Sequence, residues 1–176
     1  MNKIILNDIN IGLPGVTSSI ANCMIEACIV SLDEYGHNNN CILKVKTEND
    51  IKEYIVNWDK ELTEQIRRSW NDKEEAIEYG ASCIGILLTL KLTDYTIILR
   101  SAKKTGIDYW LGYEKDILDF KARLEISGIG KESSNNSIDK RLKIKEEQVK
   151  KSDNSNLPVF IAILEFSKPE ARYLKK

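Results

Sequence analysis

Apolar positions along the chain change their period several times, and each change marks an element. Over 16–35, Ile20, Cys23, Met24, Ala27, Cys28 and Val30 recur at helical spacing and form one broad apolar face. Thr17 or Ser18 is placed to cap the start of this helix, and Gly36 to stop it. A longer helix is predicted over 73–92, with Ala76, Ile77, Gly80, Ala81, Ile84, Leu87 and Leu88 on its buried face. Gly80, Ala81, Ser82 and Gly85 keep one side small, which favours close packing on a sheet. Its early acids Glu75 and Glu78 suit the positive end of the helix dipole. A third helix is predicted over 137–151. Ile138, Leu142 and Val149 make its thin apolar stripe, and Arg141, Lys145 and Gln148 share a neighbouring face.

Alternation of period two predicts strands over 3–6, 41–48, 94–101, 107–113, 121–127 and 157–166. The last is the most apolar and belongs inside the sheet. The lysines at 44 and 46 suggest an edge position for 41–48. The stretch 48–58 reads as strand or helix. Over 58–70 a charged helix is expected, with Trp58, Leu62, Ile66 and Trp70 as one apolar stripe. The closing segment, 167–176, reads as a short charged tail, and the polar loops 129–137 and 152–156 as the most mobile candidates. These elements make one α/β domain, a mixed central sheet flanked by helices.

Composition narrows the function classes. The 176 residues are 42% apolar and 30% charged with a net charge of −1, ordinary for a soluble globular domain. That balance provides no overall attraction to nucleic acid and argues against a small, tight DNA binder, while leaving room for a local basic patch. Four cysteines, Cys23, Cys28, Cys41 and Cys83, form no CxxC pair, and the single histidine, His37, lies in a polar loop. A Cys/His zinc site and a histidine-based triad are therefore disfavoured. Cys23, Cys28 and Cys83 fall in apolar helical runs and read as buried free thiols. The start MNKIILNDINIG does not read as a secretory signal, and the best apolar run, 81–90, is too short to cross a membrane. A cytoplasmic protein without membrane association is the expectation.

The candidate chemistry lies between 105 and 128. The strand 107–113 carries Asp108, and the strand 121–127 carries Glu125. Leu124 and Ile126 share one face of the latter; Arg123, Glu125 and Ser127 share the other. A hairpin bringing the two acids together would make a site for a hard cation such as Mg²⁺, or Mn²⁺, which takes a few carboxylate oxygens and keeps waters for a substrate phosphate. The competing reading is a surface carboxylate plus an ion pair with Arg123 or Arg141. Tyr109, Trp110 and Tyr113 stand beside Asp108, either to stack on a base or as ordinary strand aromatics. The charges of 141–151 likewise fit a solvated face.

From residue 73 the order is helix, three strands, helix, strand, with Asp108 on the second strand and Glu125 on the third. Over 73–166 this resembles the αβββαβ core of the PD-(D/E)XK nuclease superfamily, of restriction-endonuclease type, with 1–72 as an N-terminal helix/strand extension packed on it. The resemblance implies Mg²⁺ or Mn²⁺ held by Asp108 and Glu125, with Glu78 (or Glu75) from the first core helix joining as a ligand or base. It implies a basic or amide side chain from the helix after the third strand, which Arg141, Lys145 and Gln148 are placed to supply. The family's third strand reads acid, any residue, lysine; here Glu125 is followed by Ile126 and Ser127. Lys145, Lys143 or Lys104 would have to substitute for that lysine. The implied activity is metal-dependent phosphodiester hydrolysis of DNA or RNA, in phage defence or restriction. Because the third-strand lysine is missing, the alternative is a non-catalytic binding subunit on the same scaffold. Such a chain would act as an immunity or antitoxin-type partner, or as a homo-oligomer or part of a larger protein complex.

Overall fold

The most apolar strand is also the most enclosed. All seven residues of Val159–Glu165 are buried, because their side chains alternate between two separate apolar layers. That strand is β7 of an eight-stranded mixed sheet in a computed structural model that describes residues 2–151 and 155–176. The others are β1 (Asn2–Ile5), β2 (Cys41–Lys46), β3 (Ile51–Asn57), β4 (Thr96–Arg100), β5 (Tyr109–Gly112), β6 (Phe120–Ile129) and β8 (Glu170–Lys175). Their order is β1-β3-β2-β8-β7-β6-β5-β4. β4, β5 and β6 form an antiparallel meander, and β6 runs parallel to β7. The loop 152–156 lies largely outside the described residues.

Two long helices, α1 (Ser18–Glu34) and α3 (Lys73–Leu92), cover one face and build the larger core with Phe160, Ala162 and Leu164 of β7. α4 (Ile138–Lys151) covers part of the other face. Its Ile138, Leu142 and Val149 pack on Ile107, Ile129, Val159, Ile161 and Ile163 in a smaller layer. Local chemistry sets the helix starts: the Thr17 hydroxyl accepts from Ile20 N, and the Asp72 carboxylate from Glu74 N and Glu75 N. Small residues let the layers close up. A Cβ on Gly80 would stand 2.9 Å from Cys28 Cα of α1, and one on Gly85 2.9 Å from Ile126 Cδ1 of β6.

Four expectations are corrected. The segment 167–176 is not a tail: most of it is β8, which pairs with β7 on one side and β2 on the other, so it joins β1–β3 to the rest of the sheet. β2 is not an edge strand; Lys44 and Lys46 are exposed because, among the described residues, no helix covers that face of the sheet there, while Leu43 and Val45 point into the core. The stripe from Trp58 to Trp70 is not one helix. Trp58 is tied to Asn39 through both its N–H and its carbonyl, and Thr63 caps a helix, α2, of only Glu64–Ser69. Cys23 is exposed, although Cys28 and Cys83 are buried; all four thiols are free.

Candidate active site

β5 is four residues long and β6 is ten, and the site sits where the longer strand outruns the shorter. Tyr109 pairs with Leu124, so Asp108 lies just before β5, across from Glu125. Asp108 N donates to Leu124 O at 2.9 Å, and the Asp108 carboxylate accepts from Ile126 N at 2.7 Å. The side chain therefore takes the place of the strand carbonyl that β5 is too short to provide. The two acids share one face of the hairpin, as antiparallel opposition requires.

Glu125 is 2% exposed, and α4 is folded over it. Lys145 Nζ donates to Glu125 Oε1 at 2.5 Å, Gln148 Nε2 donates to the same oxygen at 3.3 Å, and Lys145 Nζ also reaches Gln148 Oε1 at 3.3 Å. Lys145 is thus the ammonium adjacent to the acid pair, and Ser127 leaves its space on the cleft wall. Of the two cations expected for an ion pair, Arg123 donates twice to Leu157 O and Arg141 binds Asn136, and Lys145 takes the place beside Glu125.

Burial and mutual repulsion set the charge of this pair. Burial, and then the Asp108 charge, push Glu125 up to about 7 against the pull of Lys145. Burial also raises Asp108, opposed by the Ile126 N–H, Lys145, a hydrogen bond from Glu125 and Arg100. Two adjacent buried negative charges are costly, so the pair favours holding one proton between its carboxyls.

Asp108 opens on a cleft of about 260 Å³ between α3 and α4, with Glu125 buried behind it. Its walls carry Glu78, Tyr79 and Ser82 of α3, Arg100 at the end of β4, Ser127 and Gly128 of β6, and Arg141 and Lys145 of α4. Arg141 is fixed by two hydrogen bonds to Asn136 Oδ1, the shorter 2.8 Å. Glu78 stands exposed on the rim. Tyr109 reaches the cleft, but its ring is 2% exposed and has no open face for stacking. Lys104 sits in the β4–β5 turn with a left-handed backbone (φ 74°), exposed and not among the side chains that line the cleft. Lys143 is exposed on α4. Arg100 and Tyr79 belong to the cleft without having been singled out in the sequence, and Ser82, read there as a small packing residue, lines it too; nothing in an arginine ending a predicted strand distinguishes it from a surface charge.

As a donor set, two convergent carboxylates suit Mg²⁺ or Mn²⁺, hard ions that accept few protein oxygens. Among the described residues, no three His, Cys, Asp or Glu side chains gather into a cluster for a metal ion, so such an ion would rest on Asp108 and Glu125 and on water. Among those residues no helix is long and apolar enough to cross a membrane. Comparison of the chain with protein-family models, with curated proteins and with solved structures finds no match.

Proposed function

We propose that the chain is a metal-dependent nuclease, hydrolysing phosphodiester bonds of DNA or RNA. The observation that carries this reading is the meeting of Asp108, Glu125 and Lys145 at the open end of β6, beside a polar cleft that Asp108 and Lys145 line. Element order supports it as well: an antiparallel meander, a covering helix, then a strand parallel to the third. Asp108 and Glu125 would hold Mg²⁺ or Mn²⁺; when bound, such an ion supplies an acidified water and charge for the phosphate oxygens. Lys145, oriented by Glu125 and Gln148, places an ammonium at the reacting end of the cleft. Arg141, preset by Asn136, presents a planar fork suited to phosphate oxygens. Glu78 on the rim would take a proton from an attacking water.

The test is Mn²⁺- and Mg²⁺-dependent cleavage of mixed single- and double-stranded DNA and RNA. Asp108→Asn, which keeps an acceptor for Ile126 N, Glu125→Gln and Lys145→Met should each lower the rate by about 10²-fold or more. Cleavage at the wild-type rate by Asp108→Asn and Glu125→Gln refutes the site.

One observation favours a second reading. Lys145, Gln148 and both acids satisfy one another without any ligand, and Ser127 occupies the position of the family's lysine. A non-catalytic binding subunit built on this scaffold needs nothing more. It predicts no cleavage with any of these substrates, and a larger assembly containing a protein partner or a second copy when the chain is purified from its native extract.

A further inference from the structure

Three cations reach the cleft, and they differ in how they are engaged. Lys145 is tied to Glu125 at 2.5 Å, beside Asp108. Arg141 is held by a neutral amide and keeps its charge. Arg100 is exposed, and no hydrogen bond or ion pair within 4 Å ties it among the described residues. Arg100 lies opposite Tyr109 in the β4–β5 ladder, on the α3 side of the sheet. Arg141 stands on α4, on the opposite side. The acids lie between them. Ser127 and Gly128, with little or no side chain, form the floor. The α3 wall adds Glu78, Ser82 and the part-exposed Tyr79, while the aromatic ring at the centre, Tyr109, is closed off in the core.

We infer that Arg100 is a substrate-binding residue that grips the phosphate next to the one at the acid pair, so that the cleft holds a nucleic-acid backbone across the end of the sheet, by phosphate and not by base. This rests on the nuclease reading for what happens at Asp108 and Glu125, but the phosphate grip itself does not depend on cleavage. An untied guanidinium retains all five donors for a phosphate. A second cation on the opposite wall fixes the direction of the strand. With Tyr109 closed off and few base-reading groups in the cleft, recognition is independent of sequence and governed by salt.

The experiment is fluorescence anisotropy of the full chain with a labelled mixed-sequence single-stranded oligonucleotide, without divalent metal, over a series of salt concentrations. Wild type is compared with Arg100→Ala, Arg100→Lys, Arg141→Ala and the control Lys91→Ala. Lys91 lines a separate groove at the far end of α3. Arg100→Ala should weaken binding about tenfold and lower the slope of log K against log salt by about one, with Arg100→Lys between it and wild type. Lys91→Ala should change neither, and scrambling the oligonucleotide sequence should not matter. An Arg100→Ala variant that binds and responds to salt like wild type overturns the inference, as does a wild-type protein that fails to bind at low salt. A strong sequence preference overturns the backbone grip. The nuclease reading is judged separately, by whether cleavage depends on Asp108 and Glu125: a metal-dependent cut lost in Asp108→Asn but untouched in Arg100→Ala leaves that reading standing and removes this one.

Discussion

Replacing Glu125 by Gln should stabilise the protein at alkaline pH, although it removes one partner of a buried ion pair. In the fold Glu125 ionises near 7, against an ordinary value of 4.5. The difference of about 2.5 units corresponds to about 3 kcal/mol, at about 1.4 kcal/mol per unit. The sign follows from proton counting. Between those two pH values the native state holds a proton that the unfolded chain has lost, so stability falls as pH rises through the window. Below about 4.5 the group contributes nothing; above about 7 the full cost is present, and about 1 kcal/mol of it develops between pH 6 and pH 8. Glutamine mimics the protonated acid: it can still donate to Asp108 and accept from Lys145, and Asp108 remains as the counter-charge for the ammonium. In EDTA, Glu125→Gln should match wild type to within about 1 kcal/mol at pH 4.5 and exceed it by up to about 3 kcal/mol at pH 8. For a domain of this size that is a rise in Tm of roughly 5–10 °C. Thermal and urea unfolding at half-unit pH steps would measure it. The opposite model is an ionised Glu125 whose value lies in its bond to Lys145. It predicts that the variant is weaker by about 3–5 kcal/mol at every pH above 5, because a buried ammonium loses its partner. A destabilised variant, or two parallel pH curves, would refute the shared-proton account.

Two further predictions concern the frame around the site. Tyr173 of β8 stacks on Phe160 at 5.7 Å, and its hydroxyl donates to Thr89 Oγ1 at 3.0 Å; Tyr173→Phe should cost about 1 kcal/mol and Tyr173→Ala about 3–5 kcal/mol in urea unfolding. An alanine cost below about 1 kcal/mol would mean that β8 does not hold the centre of the sheet. Gly80→Ala forces a methyl to 2.9 Å from Cys28 Cα. It should lower stability by about 1–2 kcal/mol despite the roughly 1 kcal/mol helical advantage of alanine, and a neutral or stabilising result in the same assay would show that α1 and α3 pack less closely.

What was legible in the sequence depended on how much each element relies on itself. α3 announces itself through twenty residues of helical pattern, an Asp72 cap and a run of small residues, and β7 through unbroken apolarity. β8 does not, because its buried residues are only Ala171 and Tyr173, and its interior position depends on β2, more than a hundred residues earlier. The lysines of β2 mark an uncovered face, a distinction that only the arrangement of the helices resolves. In the site, the pairing of Asp108 with Glu125 and the reach of Lys145 and Gln148 followed from periods of two and 3.6. Arg100 and Ser82 did not, because they come from elements whose neighbours in space are set by long-range packing.

The position of the acids follows from a mismatch in strand length. Had β5 begun two residues earlier, backbone carbonyls would have paired with β6, and Asp108 would be one more strand side chain. Because it begins only at Tyr109, the Ile126 N–H needs an acceptor, and Asp108 bends in to supply one. That bond holds one carboxylate against the sheet, across from Glu125, where burial makes two negative charges costly. α4 then answers with Lys145 and Gln148 one turn apart on the same face. A missing stretch of strand thus becomes a polar opening in the sheet, with its acids pressed together and its cations on both walls. A fold selected only for stability would fill such an opening with a longer β5 and an apolar residue at 125. If Glu125→Gln gains stability as argued above, the retained acid points to use of the cleft, since its removal would otherwise have been an improvement.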